Sequence, residues 1–264
     1  MKGVEVSIIL PTYNERGNII GLVKNINRVV QRKKEIIVVD DNSPDGTSEA
    51  VYNLIKRGNI KKLRLETRKK DRGLTKSIWR GIKLSRGDII VWMDCDFSHP
   101  PEIIPNLLKK IDRGYDIAVA SRFVRGGGFK KGLKNSNDSM LAVTLSRLMN
   151  YAIQVLLDGG FRDYTSGFIA IKREVFKKIK LQGDYGEYFI DLISRAILLN
   201  YKIVEIPFIN LPRKKGVSKT GSNLRSLIKR GSKYIKMALG LFLLRTIYLT
   251  GLKDDIKSQK KRFR

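Results

Sequence analysis

Short apolar runs alternate with longer amphipathic stretches along most of the chain. "VEVSIIL" (4–10), "EIIVVD" (35–40), "KLRLET" (62–67), "DIIVWMD" (88–94) and "DIAVAS" (116–121) are rich in β-branched residues and predict strands. Between them, 17–32, 45–57, 74–86 and 101–113 repeat apolar residues at helical spacing. Strands with near-continuous apolar character belong in a parallel sheet covered by helices on both sides. The pattern therefore predicts a doubly wound α/β domain, with ligands outside the carboxyl ends of the strands. Asp40, Asp41, Asp94, Asp96 and Arg122 fall at or just past those ends, so they are expected to converge on one crevice.

The alternation continues through a second section. "MLAVTLSRLMNYAIQVLL" (140–157) predicts an amphipathic helix, "TSGFIAIK" (165–172) a strand, "YFIDLISRAILLNYK" (188–202) a helix and "IVEIPFI" (203–209) a strand. A basic loop, "LPRKKGVSKT" (211–220), follows, and from 223 the character changes to "NLRSLIKRGSKYIKMALGLFLLRTIYL". The least interrupted apolar stretch there, 237–249, contains Arg245. As a helix it reaches about 20 Å, short of the roughly 30 Å hydrocarbon core of a bilayer. Leu224, Leu227, Ile228, Ile235, Leu239 and Phe242 approximate one helical face, with Arg225, Lys229, Lys233 and Lys236 largely off it. That is the pattern of a helix lying in a membrane interface, the alternative being an ordinary helix docked on the domain. The expected division is a catalytic domain over 1–222 and a basic, amphipathic membrane-interface segment over 223–264.

Composition narrows the function classes. The 264 residues are 42% hydrophobic and 30% charged, which suits a folded globular chain. Cys95 is the one cysteine, which rules out an internal disulfide and suggests a reducing compartment. His99 is the one histidine, which makes a His-rich metal site or a Ser/His/Asp triad a poor guess. It reads as a turn residue without a chemical role. No secretory signal is expected, because the opening "MKGVEVSIILPTYNE" is interrupted by Glu5 and closed by Pro11. The net charge of +28, from 53 Lys and Arg against 25 Asp and Glu, suits anionic lipid, polyphosphate substrates, nucleic acid or a solvated surface. Neither an RNP-like aromatic motif nor zinc-finger or helix-turn-helix spacing is visible, so nucleic acid is not expected as a partner.

Asp94 and Asp96 place two carboxylates near one point, which suits a hard divalent cation with oxygen ligands. The bland alternative is a pair of solvated turn residues, one capping the helix near Pro100-Pro101. Six further stretches accompany them: "PTYNE" (11–15), "DDNSPDGT" (40–47), "DRGLTKSIWRGIKLSRGDII" (71–90), "SRF" (121–123), "TSGF" (165–168) and "RKKGVSK" (213–219). Together, over roughly residues 4–220, they resemble the family-2 inverting glycosyltransferases of the GT-A fold, most closely the dolichyl-phosphate mannose synthases.

The resemblance implies a GDP-mannose donor, a dolichyl (polyprenyl) phosphate acceptor and a Mg²⁺ or Mn²⁺ cofactor. It implies that Pro11, Tyr13, Glu15, Val39 and Asp41 line the nucleoside pocket, and that Asp94, Cys95, Asp96 and Ser98 surround metal and diphosphate. Asp96 would be the direct metal ligand, with the Ser98 hydroxyl, standing where some relatives carry Gln, or a water as the second; Arg122, Arg213 and Lys219 would hold phosphate oxygens. Asp94, Asp96, Arg122, Arg213 and Lys219 are thus the expected catalytic set. Ala142 stands where Arg is expected, so Lys130, Lys131 and Lys134 are candidates for the acceptor phosphate. Such an enzyme would work peripherally at the cytoplasmic face of a membrane, on anionic lipid. The alternatives are a UDP-glucose-type donor or a hydroxyl acceptor. Glu187 and Asp191, at i,i+4 spacing, would be a base for the latter or, as favoured here, a surface pair. Asp40 reads as a structural hydrogen-bond acceptor.

Overall fold

The computed structural model describes residues 3–130, 140–215 and 224–249. Its first half alternates β1 (Val6–Thr12), α1 (Arg16–Val29), β2 (Lys34–Asp40), α2 (Thr47–Lys56), β3 (Leu63–Thr67), α3 (Leu74–Leu84) and β4 (Ile89–Trp92). A 3₁₀ turn at Pro101–Ile103 (a second, Arg173–Lys177, comes later in the chain) then leads into α4 (Ile104–Asp112), followed by β5 (Ile117–Ser121) and the two-residue β6 (Gly128–Phe129). The remainder comprises α5 (Met140–Leu156), β7 (Ile169–Lys172), α6 (Glu187–Leu198), β8 (Ile203–Pro207), β9 (Ile209–Asn210) and α7 (Leu224–Leu249).

Seven strands form one sheet in the order β3-β2-β1-β4-β7-β5-β8, and β6 pairs with β9 beside it. The α/β class expected from the apolar runs holds. The departure from an all-parallel sheet is β7, which runs antiparallel between β4 and β5, with Trp92 opposite Ile169 and Val119 opposite Ile169. Its reversal matters for the site. An antiparallel strand begins at the edge where its parallel neighbours end, so residues 163–168 arrive at the same crevice as the ends of β1, β2, β4 and β5.

Both faces of the sheet are covered. On one, Ile8, Leu10, Ile36 and Val38 meet Ile19, Leu22, Val23 and Ile26 of α1, with α2 and α4 alongside. On the other, Ile9, Ile37, Val39, Ile90 and Trp92 meet α3, α6 and the inner residues of α5 and α7. Adjacent strand residues pointing into opposite layers explain the apolar runs without alternation. Helix α7 packs against α5 and α6, burying Ala238 and Leu241. Ile235, Leu239, Phe242 and Leu243 on α7, and Leu148, Tyr151 and Val155 on α5, stay exposed.

Candidate active site

Strand β4 ends at Trp92, and the chain then turns sharply through Asp94, Cys95 and Asp96. Phe97 takes φ +68°, an unusual conformation for a bulky residue, of the kind that clusters at functional turns. The tight turn lets the Ser98 amide and hydroxyl both donate to Asp96 Oδ1, at 2.9 and 2.6 Å. Ser98 therefore orients Asp96. Asp96 Oδ2 lies 2.8 Å from Arg213, whose other arm donates to Glu15 Oε1 at 2.9 Å. Burial works to raise the Asp96 pKa, but Arg213 and the Ser98 bonds outweigh it and hold the carboxyl below its usual range.

Arg213 belongs to a strap laid across this turn. The Lys214 amide donates to the Asp96 carbonyl and the Leu211 amide to that of Ser98, each at 3.0 Å. Asn18 Nδ2 donates to the Lys215 carbonyl at 3.1 Å and to Glu15 Oε2 at 2.8 Å. Lys219, Lys131 and Lys134 lie outside the described residues.

Asp94 behaves differently from its neighbour. Its side chain is 54% exposed to the crevice, yet the surrounding protein desolvates it enough to push its pKa up, with Asp96 adding to the shift and His99 opposing it. The Asp94 amide donates to His99 Nδ1 at 3.1 Å. The imidazole is buried, stacked on Phe168 at 5.0 Å and edge-on to Phe208 at 5.6 Å, and burial lowers its pKa. His99 is thus more than a turn residue. It is a neutral acceptor that fixes the backbone under Asp94.

The nucleoside-side candidates divide. Tyr13 is exposed after β1 and Glu15 lies beside Arg213, whereas the Val39 side chain is fully buried in the core. Pro11 presents its carbonyl to Cys95 Sγ at 3.4 Å. Asp41 Oδ1 accepts from Ser77 Oγ at 2.7 Å and Arg68 at 3.1 Å, and Oδ2 accepts from the Gly73 amide at 2.7 Å. Arg68, Gly73 and Ser77 were missed by sequence reasoning, although 71–90 had been singled out as a motif. Asp40 is the structural acceptor expected, taking bonds from Thr12, Ser43 and Ser48.

On the far side, Arg122 pairs with Asp163 from the loop before β7, Nη2 to Oδ1 at 2.7 Å. Trp92 Nε1 donates to the buried Tyr188 hydroxyl at 2.9 Å. Glu187 and Asp191 are not the surface pair expected: both are buried. Glu187 Oε1 accepts from the Asp184 amide at 3.0 Å, and Asp191 Oδ1 from Arg195 at 2.7 Å. Helix α6 is enclosed on most sides, so i,i+4 spacing fixed their shared face but not its exposure.

A doubly wound sheet with Asp94 and Asp96 at the end of its central strand is the setting in which residues 7–180 match the family described as glycosyl transferase family 2. The chain belongs to that family. The membership bears out the resemblance carried by the motifs. A dolichol-phosphate mannosyltransferase of Pyrococcus furiosus is 36% identical over 218 residues, which are 82% of this chain but 59% of that protein. The chain therefore spans about six-tenths of the length of that relative. A polyprenol monophosphomannose synthase of Mycolicibacterium smegmatis is 37% identical over 225 residues, 83% of this chain and 82% of that one. The glucosyl-3-phosphoglycerate synthase of Mycobacterium tuberculosis, solved with Mn²⁺, UDP and glucosyl-3-phosphoglycerate, superposes with a TM-score of 0.67 at 20% identity, over 90% of this chain and 80% of that one. It shares the fold of this family-2 glycosyltransferase.

Proposed function

We propose that the protein transfers mannose from GDP-mannose to a polyprenyl (dolichyl) phosphate with inversion. The observation that carries this is the crevice itself: Asp94 and Asp96 stand on the β4 turn, with Arg213 paired to Asp96 and Arg122 following the end of β5. Two relatives of more than one-third identity bear names for mannosyl transfer to polyprenyl or dolichyl phosphate.

The chemistry follows from the charges. A phosphate monoester is already ionised at neutral pH, with its second pKa at about 6, so the acceptor needs no general base. One of its oxygens attacks the anomeric carbon while the sugar–diphosphate bond breaks on the opposite face and GDP leaves with the electron pair. The protein's task is to align two anions and offset their repulsion. Arg213, held between Glu15 and Asp96, is placed to exchange those carboxylates for diphosphate oxygens.

The donor set fits a divalent ion of the Mg²⁺ or Mn²⁺ kind. Such ions need only one or two carboxylates and take the rest of their shell from water and substrate phosphate. Asp94 opens into the crevice and Asp96 stands beside it, while no cage of three or more His, Cys, Asp or Glu side chains occurs among the described residues. Asp96, oriented by Ser98, and Asp94 would hold it. When bound, the ion would neutralise charge growing on the leaving diphosphate.

The lipid acceptor calls for a bilayer surface. No helix among the described residues is long and apolar enough to cross a membrane. The exposed apolar rows of α5 and α7, with Arg147, Lys233 and Lys236 nearby, suit seating on anionic lipid at the cytoplasmic face. The segment 223–264 is read as this interface element, with the inner side of α7 packed on the domain. Polyprenyl phosphate offered beside unphosphorylated polyprenol tests the acceptor. Label from GDP-mannose is expected on the phosphate alone, and equal labelling of the alcohol would refute a base-free mechanism.

A further inference from the structure

Arg122 follows β5 at the crevice edge, and almost all of its hydrogen-bonding capacity points away from the crevice. Asp163 Oδ2 accepts from the Arg122 amide at 2.8 Å and from Nε at 2.9 Å, while Oδ1 accepts from Nη2 at 2.7 Å. The second hydrogen of Nη2 goes to Thr165 Oγ1 at 2.8 Å. The ring centres of Phe123 and Phe129 lie 5.3 and 5.4 Å from the guanidinium carbon. Among the described residues this leaves Nη1 as the guanidinium nitrogen without a protein hydrogen bond.

The clamp is itself held from two sides. Glu205 on β8 accepts from the Arg162 and Asp163 amides at 2.7 and 2.9 Å. Asn150 on α5 accepts from the Tyr164 amide at 3.0 Å and donates to the Arg162 carbonyl at 2.6 Å, where Gln154 donates at 2.7 Å. Asp163 is wholly buried and its ion pair shielded from water. A pair so deep gains little stability over an apolar replacement, because desolvating two charges offsets their attraction. Its geometry is better explained by what it does to Arg122.

We propose that Asp163 is a positioning residue for the transfer reaction: it occupies the Nε–Nη2 edge of Arg122 and leaves Nη1 as a fixed, single-nitrogen arm for one oxygen of the acceptor phosphate. This rests on the polyprenyl-phosphate reading above. A free arginine grips phosphate through two nitrogens and ties up two oxygens. An arm restricted to Nη1 takes one of the monoester's three terminal oxygens, leaving two, one of them to attack the anomeric carbon and the other to meet a second cation. Rotamers locked by packing and hydrogen bonds are what hold a nucleophile to the fraction of an ångström that transfer requires.

The test compares wild type, Asp163→Asn and Thr165→Val in vesicles containing polyprenyl phosphate. Asp163→Asn keeps the shape but turns one acceptor into a donor facing Arg122. It is expected to lower kcat/KM for polyprenyl phosphate by about 10- to 100-fold, the cost of misplacing a reacting group by about 1 Å. The Kd for GDP should stay within about twofold of wild type, since the arm does not serve the donor. Thr165→Val removes one Nη2 bond without touching charge and should give a smaller loss of the same kind. A slowly rotating Arg122 guanidinium, seen by ¹⁵N NMR in wild type, should become mobile in Asp163→Asn. An unchanged acceptor kcat/KM in both variants, or equal losses in donor and acceptor binding, would overturn the proposal. Should Asp163→Asn not fold, Thr165→Val with an unchanged acceptor kcat/KM overturns it alone. If wild type transfers nothing to polyprenyl phosphate, the functional reading fails, while the NMR comparison still decides whether Asp163 fixes Arg122.

Discussion

Replacing Arg213 with alanine should unsettle the fold as well as the chemistry, and divalent metal should repair part of the damage. Arg213 bridges two carboxylates, Glu15 at 2.9 Å and Asp96 at 2.8 Å, whose side chains are 6% and 9% exposed. Removing one partner of a buried pair costs about 3–5 kcal/mol, because the charge left behind stays desolvated. Glu15 keeps Asn18 and Asp96 keeps Ser98, and Arg213 is one-fifth exposed, so the lower end, about 3 kcal/mol, applies. At about 2–4 °C per kcal/mol, Arg213→Ala should melt about 6–12 °C below wild type near neutral pH. Arg213→Lys should recover part of this, since an ammonium cannot span both carboxylates as a guanidinium does. The depressed Asp96 pKa adds a pH signature: the stabilisation is present above the unfolded carboxyl value of about 3.9 and lost as pH falls through the lower folded value. The melting difference should therefore shrink in acid. Scanning fluorimetry with and without millimolar Mn²⁺ completes the assay, and the variant should gain more from the metal than wild type, its two carboxylates having lost their counter-charge. A melting point within about 1 °C of wild type, or identical metal shifts, would refute this account of the strap.

Three further outcomes are expected. Burial holds the His99 pKa below its ordinary value, so the native state resists protonation and wild type should lose stability as pH falls from about 7 toward 5; His99→Gln should lose that slope while lowering kcat without reshaping the pH–rate profile. A Cβ at Gly186 would overlap the Tyr234 hydroxyl, so Gly186→Ala should cost about 1–3 kcal/mol by denaturant unfolding, and less in a Tyr234→Ala background; an equal cost in both would show that Tyr234 is not the obstacle. Leu239→Glu and Phe242→Glu change exposed positions of α7, so they should abolish sedimentation with anionic vesicles while shifting stability by no more than about 0.5 kcal/mol; undiminished sedimentation would remove α7 from the interface.

Much of the first half of the fold was legible because parallel strands buried on both faces leave unmistakable apolar runs. Direction leaves no such trace. "GFIAIK" reads as a strand either way, so the reversal of β7, which carries Asp163 to the crevice, could be seen only in the sheet. The D-x-D turn was legible from a hydrophobic ramp ending in carboxylates. The role of His99 was not, because burial of a lone polar residue in a turn depends on rings that arrive later in the chain, Phe168 and Phe208. Arg122 was placed correctly at a strand end, yet the partner that fixes it stands 41 residues away. Val39 shows the converse: the penultimate residue of β2, named with the site candidates, has its side chain turned into the core.

The most direct test of the central claim offers radiolabelled GDP-mannose and UDP-glucose separately to the protein with polyprenyl phosphate in anionic vesicles, followed by organic extraction. Mannose label should pass into the organic phase with Mg²⁺ or Mn²⁺ present, fall to background in EDTA, and fall at least about 100-fold in Asp96→Asn. Glucose label in the organic phase without mannose, or mannose transfer undiminished in EDTA by Asp96→Asn, would contradict it.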